Sequence, residues 1–430
     1  MPTKEMCHAD AVCYCRTTNV RASIAMLIAT VIMNAGLPAY AQSAGTAAPK
    51  PHTSNPSVTN PIQVWNSTPW VPATRKATDR EAIRDDAPKP DFVSSQRRLL
   101  TAPELSDAPD EWISKSLSWV DYVLKSYPPS VDEYPVRRDA LTRMDDILHI
   151  QSAPNKPLVQ QFFNHRIDAA IAEIETTHVS TGLRIWKLYN HGFFVRTPTA
   201  SFVFDIVPGG GDPAFRITAE QIRRIAAQAD VAFISHWHQD HANKEVVCAF
   251  LSLGKPVIAP PGLWSDDPEF SGKLRYAARI PAKPETVAIG TSHRTLTFTA
   301  YPGHQGAQVL NNIFVVTTPE QLTVVHTGDQ SPPSLTETDI ELFDEIGKKH
   351  IVDVFIPNVW AVGLQKEILA VHPGLVVSGH ENEMSHVVPH REDYTQSYTR
   401  LYGSPSPYLI MTWGETFHYL PANSIPKKTH

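Results

Sequence analysis

The chain has 430 residues, 42% of them hydrophobic and 19% charged, with a formal net charge of −6. That length holds one large domain or two medium ones, and the composition is that of a folded chain rather than a disordered one. The acidic balance excludes the broad basic footprint of a nucleic-acid-binding protein, and the pairs Arg137-Arg138 and Arg223-Arg224 read as solvated helix faces.

Residues 1–41 read as a targeting segment. Arg16 and Arg21 precede an apolar run over 22–33, and Ala39-Tyr40-Ala41 supplies a small-x-small cleavage signal. Asn34, Gly36 and Pro38 break the run before it reaches bilayer-spanning length. The expectation is cleavage after Ala41, a periplasmic or secreted chain, and no stable membrane insertion afterwards. Cys7, Cys13 and Cys15 would leave with the segment; Cys248 alone would remain, so the mature chain makes no internal disulfide.

Residues 42–90 are rich in proline, among them Pro49, Pro51, Pro56 and Pro61, and read as a linker or a strap that Trp65 and Trp70 could anchor. Residues 91–180 read as a helical N-terminal extension. Ile113, Leu117, Val120 and Leu124 fall on one helix face, with Pro128-Pro129 as the stop. Further helices are expected over 136–150 and 158–176, the latter with Phe162, Ile167, Ile171 and Ile174 apolar.

From 181 to 430 the pattern changes to short apolar runs. Residues 183–207 predict two strands with a turn at Thr197-Pro198-Thr199; Asn190-His191-Gly192 interrupts the first, which leaves His191 as either a site residue or a bulge feature. Gly209-Gly210-Gly211 lacks the Lys-Ser/Thr of a phosphate-binding loop and reads as a flexible turn.

Val231-Ala232-Phe233-Ile234 predicts a buried strand, and where it stops the chain reads Ser235-His236-Trp237-His238-Gln239-Asp240-His241. Three imidazoles and a carboxylate in six positions are too crowded for packing, and are donors that first-row cations such as Zn²⁺ accept. A loop leaving a strand can send alternate residues the same way, so His236 and His238 can reach one metal while Asp240 and His241 serve a second. Ala242-Asn243-Lys244-Glu245 is expected to open a helix running to about Leu253, ended by Gly254 and Pro256. Strand, ligand loop and helix together suit a site at the carboxyl edge of a sheet.

Four later or earlier strand ends carry matching donors. Ser201-Phe202-Val203-Phe204-Asp205 ends in an acid, and Tyr301-Pro302-Gly303-His304 follows the alternating run 295–300. Val324-Val325-His326-Thr327-Gly328-Asp329 and Val376-Val377-Ser378-Gly379-His380 end two further apolar runs, and His386 and His390 follow within ten residues of His380. Taken in order, these segments resemble the motifs of the metallo-β-lactamase fold superfamily over roughly 183–420. The resemblance implies an α/β fold, a four-layer αβ/βα sandwich carrying the helical extension. It implies His236, His238 and His304 on one metal, Asp240, His241 and His380 on the other, and Asp329 bridging them, with Asp205 as a buttress. His386 or His390 remains an alternative to His380 as the second-metal ligand.

The implied cofactors are two divalent ions, zinc with manganese or iron as alternatives, and the implied nucleophile is a hydroxide they share. Asp240 and Asp329 would be catalytic. His386, His390 and His191 are the candidates to protonate the leaving group, and His386 is taken as the catalytic one. The function expected is an exported hydrolase of an ester, lactone or phosphodiester bond in a small molecule. Asp329 stands where zinc β-lactamases usually carry Cys or Ser, which makes a β-lactamase an alternative only. A mononuclear iron enzyme of the persulfide dioxygenase type is another, and a binding protein on a decayed hydrolase fold a third. The His304 and Asp329 segments locally resemble the L-ascorbate-6-phosphate lactonase branch. The oligomeric state is open.

Overall fold

The computed structural model describes residues 108–421 except 133, 210–215, 291–293, 307 and 331–336. The expected targeting segment, the proline-rich strap with Trp65 and Trp70, the start of the extension and most of the Gly209-Gly210-Gly211 turn lie outside the described residues. Among the described residues no helix is long and apolar enough to cross a membrane.

The extension supplies α1 (Asp110–Ser126), α2 (Pro135–Leu148) and α3 (Pro157–Thr176). Ile113, Leu117, Val120 and Leu124 are all buried, as their spacing predicts, whereas in α3 it is Phe163 rather than Phe162 that enters the core. The chain then forms β1 (Leu183–Lys187), β2 (Phe193–Arg196) and β3 (Ser201–Phe204). These are three strands where two are expected. Asn190-His191-Gly192 is itself a hairpin turn, closed by Gly192 N–H donating to Tyr189 O at 2.8 Å.

Next come α4 (Ala219–Gln228), β4 (Val231–Phe233), α5 (Lys244–Ser252), β5 (Val257–Ala259) and β6 (Arg275–Tyr276). The second half runs β7 (Glu285–Ile289), β8 (Arg294–Gln305), β9 (Val309–Thr317), β10 (Thr323–His326), α6 (Glu337–Lys349) and β11 (Val354–Ile356). It closes with α7 (Leu364–Val371), β12 (Leu375–Val377), α8 (Tyr394–Leu401), β13 (Tyr408–Leu409) and β14 (Glu415–Tyr419).

The strands make two seven-stranded sheets, ordered β14-β1-β2-β3-β4-β5-β6 and β13-β12-β11-β10-β9-β8-β7. Each is antiparallel through β3 or β10 and parallel beyond it. The inner parallel strands β4, β5, β11 and β12 are short and wholly buried, as runs covered on both faces must be. One core lies between the sheets: Phe233 of the first packs on Phe298 and Phe314 of the second, ring centroids 5.5 and 5.0 Å apart. Alternate residues point outward under helices. Trp186 donates its indole N–H to Glu173 of α3 at 3.0 Å, and Phe355 meets Phe343 of α6 at 6.1 Å. The result is the four-layer order helix, sheet, sheet, helix.

Arg137 of α2 is not on a solvated face. It is 1% exposed, and its guanidinium makes a bidentate pair with Glu415 at 2.7 and 2.5 Å and donates to Ile410 O at 3.0 Å. Burying that charge is tolerable only because carboxylate and carbonyls satisfy it, and the pair locks the extension to the start of β14.

Candidate metal centre

The loops leaving β1, β3, β4, β10 and β12 meet at one edge of the sandwich. After β4 the chain makes a tight turn, with His241 N–H and Ala242 N–H both donating to His238 O at 3.0 and 2.8 Å. Asn243 then caps α5, its side-chain oxygen accepting from Glu245 and Val246 N–H at 2.9 and 3.3 Å. The turn sends His236 and His241 inward, both fully buried, and leaves Trp237 57% exposed.

His236 Nε2 and His238 Nδ1 face each other at 3.0 Å. His241 Nε2 lies 3.3 Å from Asp240 Oδ2 and 3.2 Å from Asp329 Oδ1, and His380 Nε2 lies 3.2 Å from Asp240 Oδ2 and 3.3 Å from Asp329 Oδ2. Besides an inner group of His191, Asp205 and His241, two donor groups result, Asp240, His241, Asp329 and His380, and His236, His238 and Asp329, each of the three with its ligand atoms within 4.8 Å of one another. Asp329 belongs to both. His241 Nε2 is buried and, among the described residues, makes no hydrogen bond despite these short approaches. Imidazole nitrogens and carboxylate oxygens converging this way fit a divalent cation.

Behind the donors stands a buttress of acids. Asp205 accepts from Ser235 N–H at 2.7 Å and Ser235 Oγ at 2.6 Å, and its Oδ2 lies 2.8 Å from His241 Nδ1. Glu392 places Oε2 3.4 Å from His380 Nδ1. The Asp205 carboxylate sets the tautomer and orientation of the His241 ring, whereas Glu392 faces His380 as a charged neighbour, without a hydrogen bond. Asp329 itself accepts from Gln305 Nε2 at 3.0 Å and Asn358 Nδ2 at 3.3 Å.

The charges sort accordingly. Burial pushes the His236 imidazole down to about 3, so it is neutral. Burial also works against charge on His241 and His380, but the carboxylates facing them, Asp329 foremost, outweigh it and hold both well above the usual histidine range. Burial opposes ionisation of Asp329 and Asp240 as well, yet His241 keeps both well below the usual carboxylate range.

The backbone here is held in unfavourable conformations. Asn190, Asp205, His380 and Asn382 have φ of 53, 45, 70 and 58°, and left-handed non-glycine residues cost on the order of 1–3 kcal/mol each unless their surroundings impose them. The segment Glu381-Asn382-Glu383 supplies part of that imposition. Glu381 accepts from buried Lys187 and from Ser397 Oγ at 2.9 Å, Asn382 donates to Asp145 of α2 at 3.0 Å, and Glu383 accepts from Ser385 N–H at 2.8 Å. Gly328 is required between His326 and Asp329: it has φ of 53°, and a Cβ there would stand 2.2 Å from Asn311 Oδ1.

The structure brings together His236, His238, Asp240, His241, Asp329 and His380, with Asp205 behind them. It does not bring His304 to them. His304 Nδ1 lies 2.6 Å from Gly306 O and Nε2 2.9 Å from Asp339 Oδ1, so both ring nitrogens are engaged elsewhere. His386 is 34% exposed, with Nε2 3.8 Å from Asp240 Oδ2; His390 is exposed, and its carbonyl meets His386 Nδ1 at 3.2 Å. His191 is fully buried against His326, with Nδ1 3.9 Å from Asp329 Oδ1 and no hydrogen bond at either ring nitrogen among the described residues. Gln305, Asn358 and Glu392 are absent from the sequence-based expectation. Nothing local to Asn358 or Glu392 signals a site, whereas Gln305 adjoins a predicted ligand.

No family model matches the chain, and no curated protein does. Among solved structures it is similar to Igni18, a novel metallo hydrolase from the hyperthermophilic archaeon Ignicoccus hospitalis, with 16% identity over 56% of this chain and 100% of that one and a TM-score of 0.43. It is similar to a possible metal-dependent hydrolase from Veillonella parvula, at 12% identity over 56% and 100% of the two chains with a TM-score of 0.40. It is also similar to the metallo-β-lactamase fold protein YhfI from Bacillus subtilis, at 14% identity over 55% and 99% with a TM-score of 0.38.

Proposed function

We propose that this chain is an exported hydrolase of the metallo-β-lactamase type that cleaves an ester, lactone or phosphodiester bond in a small molecule, using two divalent cations. The observation that carries the reading is Asp329, whose carboxylate faces His236 at 3.9 Å through one oxygen and His241 at 3.2 Å through the other. A carboxylate shared by two donor groups is what a paired cation site needs. His236 and His238 would hold one cation, and Asp240, His241 and His380 the other, with zinc, manganese or iron as the candidates.

When bound, such cations supply Lewis acidity and a water ionised near neutral pH. The chain's own residues then do the rest. Asp205 keeps the Nε2 atom of His241 directed at the centre, and Glu392 faces His380 from behind as a charged neighbour. Buried His236 stays neutral, the state in which imidazole ligates, whereas His241 and His380 would each release a proton on taking up a cation. Half-buried His238 and Asp240 border the opening, so substrate enters from the side where Trp237 is exposed. His386 stands at that opening; with Nδ1 donating to His390 O, it is the imidazolium form that carries a second N–H at Nε2, toward Asp240 and the entering substrate, placed to hand that proton to a leaving group and be left as the neutral ring.

Export rests on the residues of the 1–41 segment and would be tested by N-terminal sequencing of the chain recovered from periplasm or medium. The hydrolase reading is tested by elemental analysis of the purified chain followed by turnover of chromogenic esters, lactones, phosphodiesters and β-lactams. About two cations per chain and hydrolysis lost on chelation are expected. A chain free of divalent metal, or turnover that depends on oxygen, defeats it.

A further inference from the structure

The half-site formed by His236, His238 and Asp329 has only two imidazoles, and the third nitrogen expected for it, from His304, is turned elsewhere. We infer that Gln305, rather than His304, completes this half-site, its amide oxygen serving as a cation ligand beside the two imidazoles. The inference rests on the metal-centre reading above.

Strand geometry makes the choice exclusive. His304 and Gln305 are the last residues of β8, paired with Leu310 and Val309 of β9. Neighbouring residues on a strand point to opposite faces, so only one of the two can look into the site. His304 lies on the other side, bound to Gly306 O and Asp339, and its backbone N–H donates to Gln330 Oε1 at 2.7 Å. Gln330 reinforces that arrangement by donating to the same Asp339 oxygen at 3.2 Å. The histidine is therefore tied at three points to groups outside the centre.

Gln305 faces the centre. Its Nε2 donates to Asp329 Oδ2 at 3.0 Å, the oxygen that also faces His236 and His380. That bond orients the amide, nitrogen toward the carboxylate. The other end, Oε1, is buried and has no hydrogen-bond partner among the described residues. A buried carbonyl oxygen without a donor is costly and calls for a partner, and a cation held by His236 and His238, which share the Asp329 carboxylate with Gln305, is one.

An amide oxygen is a harder and weaker donor than an imidazole. The two half-sites are then unequal: the group of Asp240, His241, His380 and Asp329 fills first, and the Gln305 half-site fills second, with less preference for zinc over manganese.

The test is stepwise calorimetric titration of Zn²⁺ and of Mn²⁺ into the metal-stripped full chain, comparing wild type with Gln305→Ala, Gln305→His and His304→Ala, each checked for folding by circular dichroism. Two classes of site are expected in the wild type. Gln305→Ala should weaken the second class at least about tenfold and leave the first unchanged. Gln305→His should tighten zinc there, and His304→Ala should leave both classes as they are. Loss of one class in His304→Ala, with Gln305→Ala and Gln305→His indistinguishable from wild type, overturns the assignment. Should Gln305→Ala misfold, an unchanged zinc affinity in Gln305→His overturns it equally. A wild-type chain that takes up neither ion overturns the metal-centre reading instead, a separable outcome.

Discussion

Asp205 Oδ2 lies 2.8 Å from His241 Nδ1, and the other nitrogen of the same ring lies within 3.3 Å of both Asp240 and Asp329. One carboxylate behind the ring thus decides what the ring offers in front. Burial raises the cost of ionising Asp205, but its bonds from His241 and Ser235 outweigh that and hold it below the usual range. Replacing Asp205 by alanine should lower affinity for the more tightly bound cation by about 10–100-fold. Competition with a chromogenic chelator measures this, and unchanged affinity would show the contact to be structural only.

Asp329 faces both donor groups, so its loss should be felt by both. In Asp329→Ala the rate should fall by about 10³-fold or more, several kcal/mol of transition-state stabilisation. Asp240→Ala should act through one group alone, so it should retain more bound metal than Asp329→Ala. Metal content and turnover, measured on the same preparations, separate the two.

His386 makes no close ligand contact, its nearest approach to Asp240 being 3.8 Å. His386→Ala should keep the metal content of the wild type while kcat drops by about 10²–10⁴-fold for substrates with poor leaving groups. For nitrophenolate, which leaves without a proton, the drop should be small. An equal drop for both kinds of substrate would remove His386 from the proton-transfer role.

Glu367 of α7 is fully buried with neither carboxylate oxygen hydrogen-bonded among the described residues, and burial together with nearby Asp339 pushes its pKa well above the ordinary 4.5. A carboxyl whose folded value is raised holds its proton in the folded chain after the unfolded chain has lost it. Its contribution is therefore full below about 4.5 and is lost as pH climbs toward the folded value, at about 1.4 kcal/mol per pH unit. Glu367→Gln should remove that slope, so its unfolding curve should part from that of the wild type as pH rises above 4.5. Denaturant titrations across pH 4–8 check it; parallel curves would mean the carboxyl has a partner.

Much of the fold is legible in the amino-acid sequence. The helix stop at Pro128, the buried runs before His236, Asp329 and His380, and the capped helix after His241 are local features, written in contiguous residues. The compact loop of His236, His238, Asp240 and His241 is likewise local, which is why its spacing alone points to cations. What the sequence hides is non-local. Arg137 looks like a surface charge until Glu415, 278 residues away, is seen beside it. Glu381 and Asn382 match no pattern because their partners, Lys187 and Asp145, lie 194 and 237 residues away. Glu392 becomes part of the centre only by folding back to His380.

The residues themselves therefore settle which donors exist and on which strand ends they sit, since strand period and ligand chemistry are properties of short stretches. Folding in three dimensions decides which donors meet. His304 and Gln305 are adjacent in the chain yet face opposite ways, because a pleated strand alternates its side chains and the pairing of β8 with β9 fixes the phase. No count of spacings contains that phase, for it is set by hydrogen bonds to another strand.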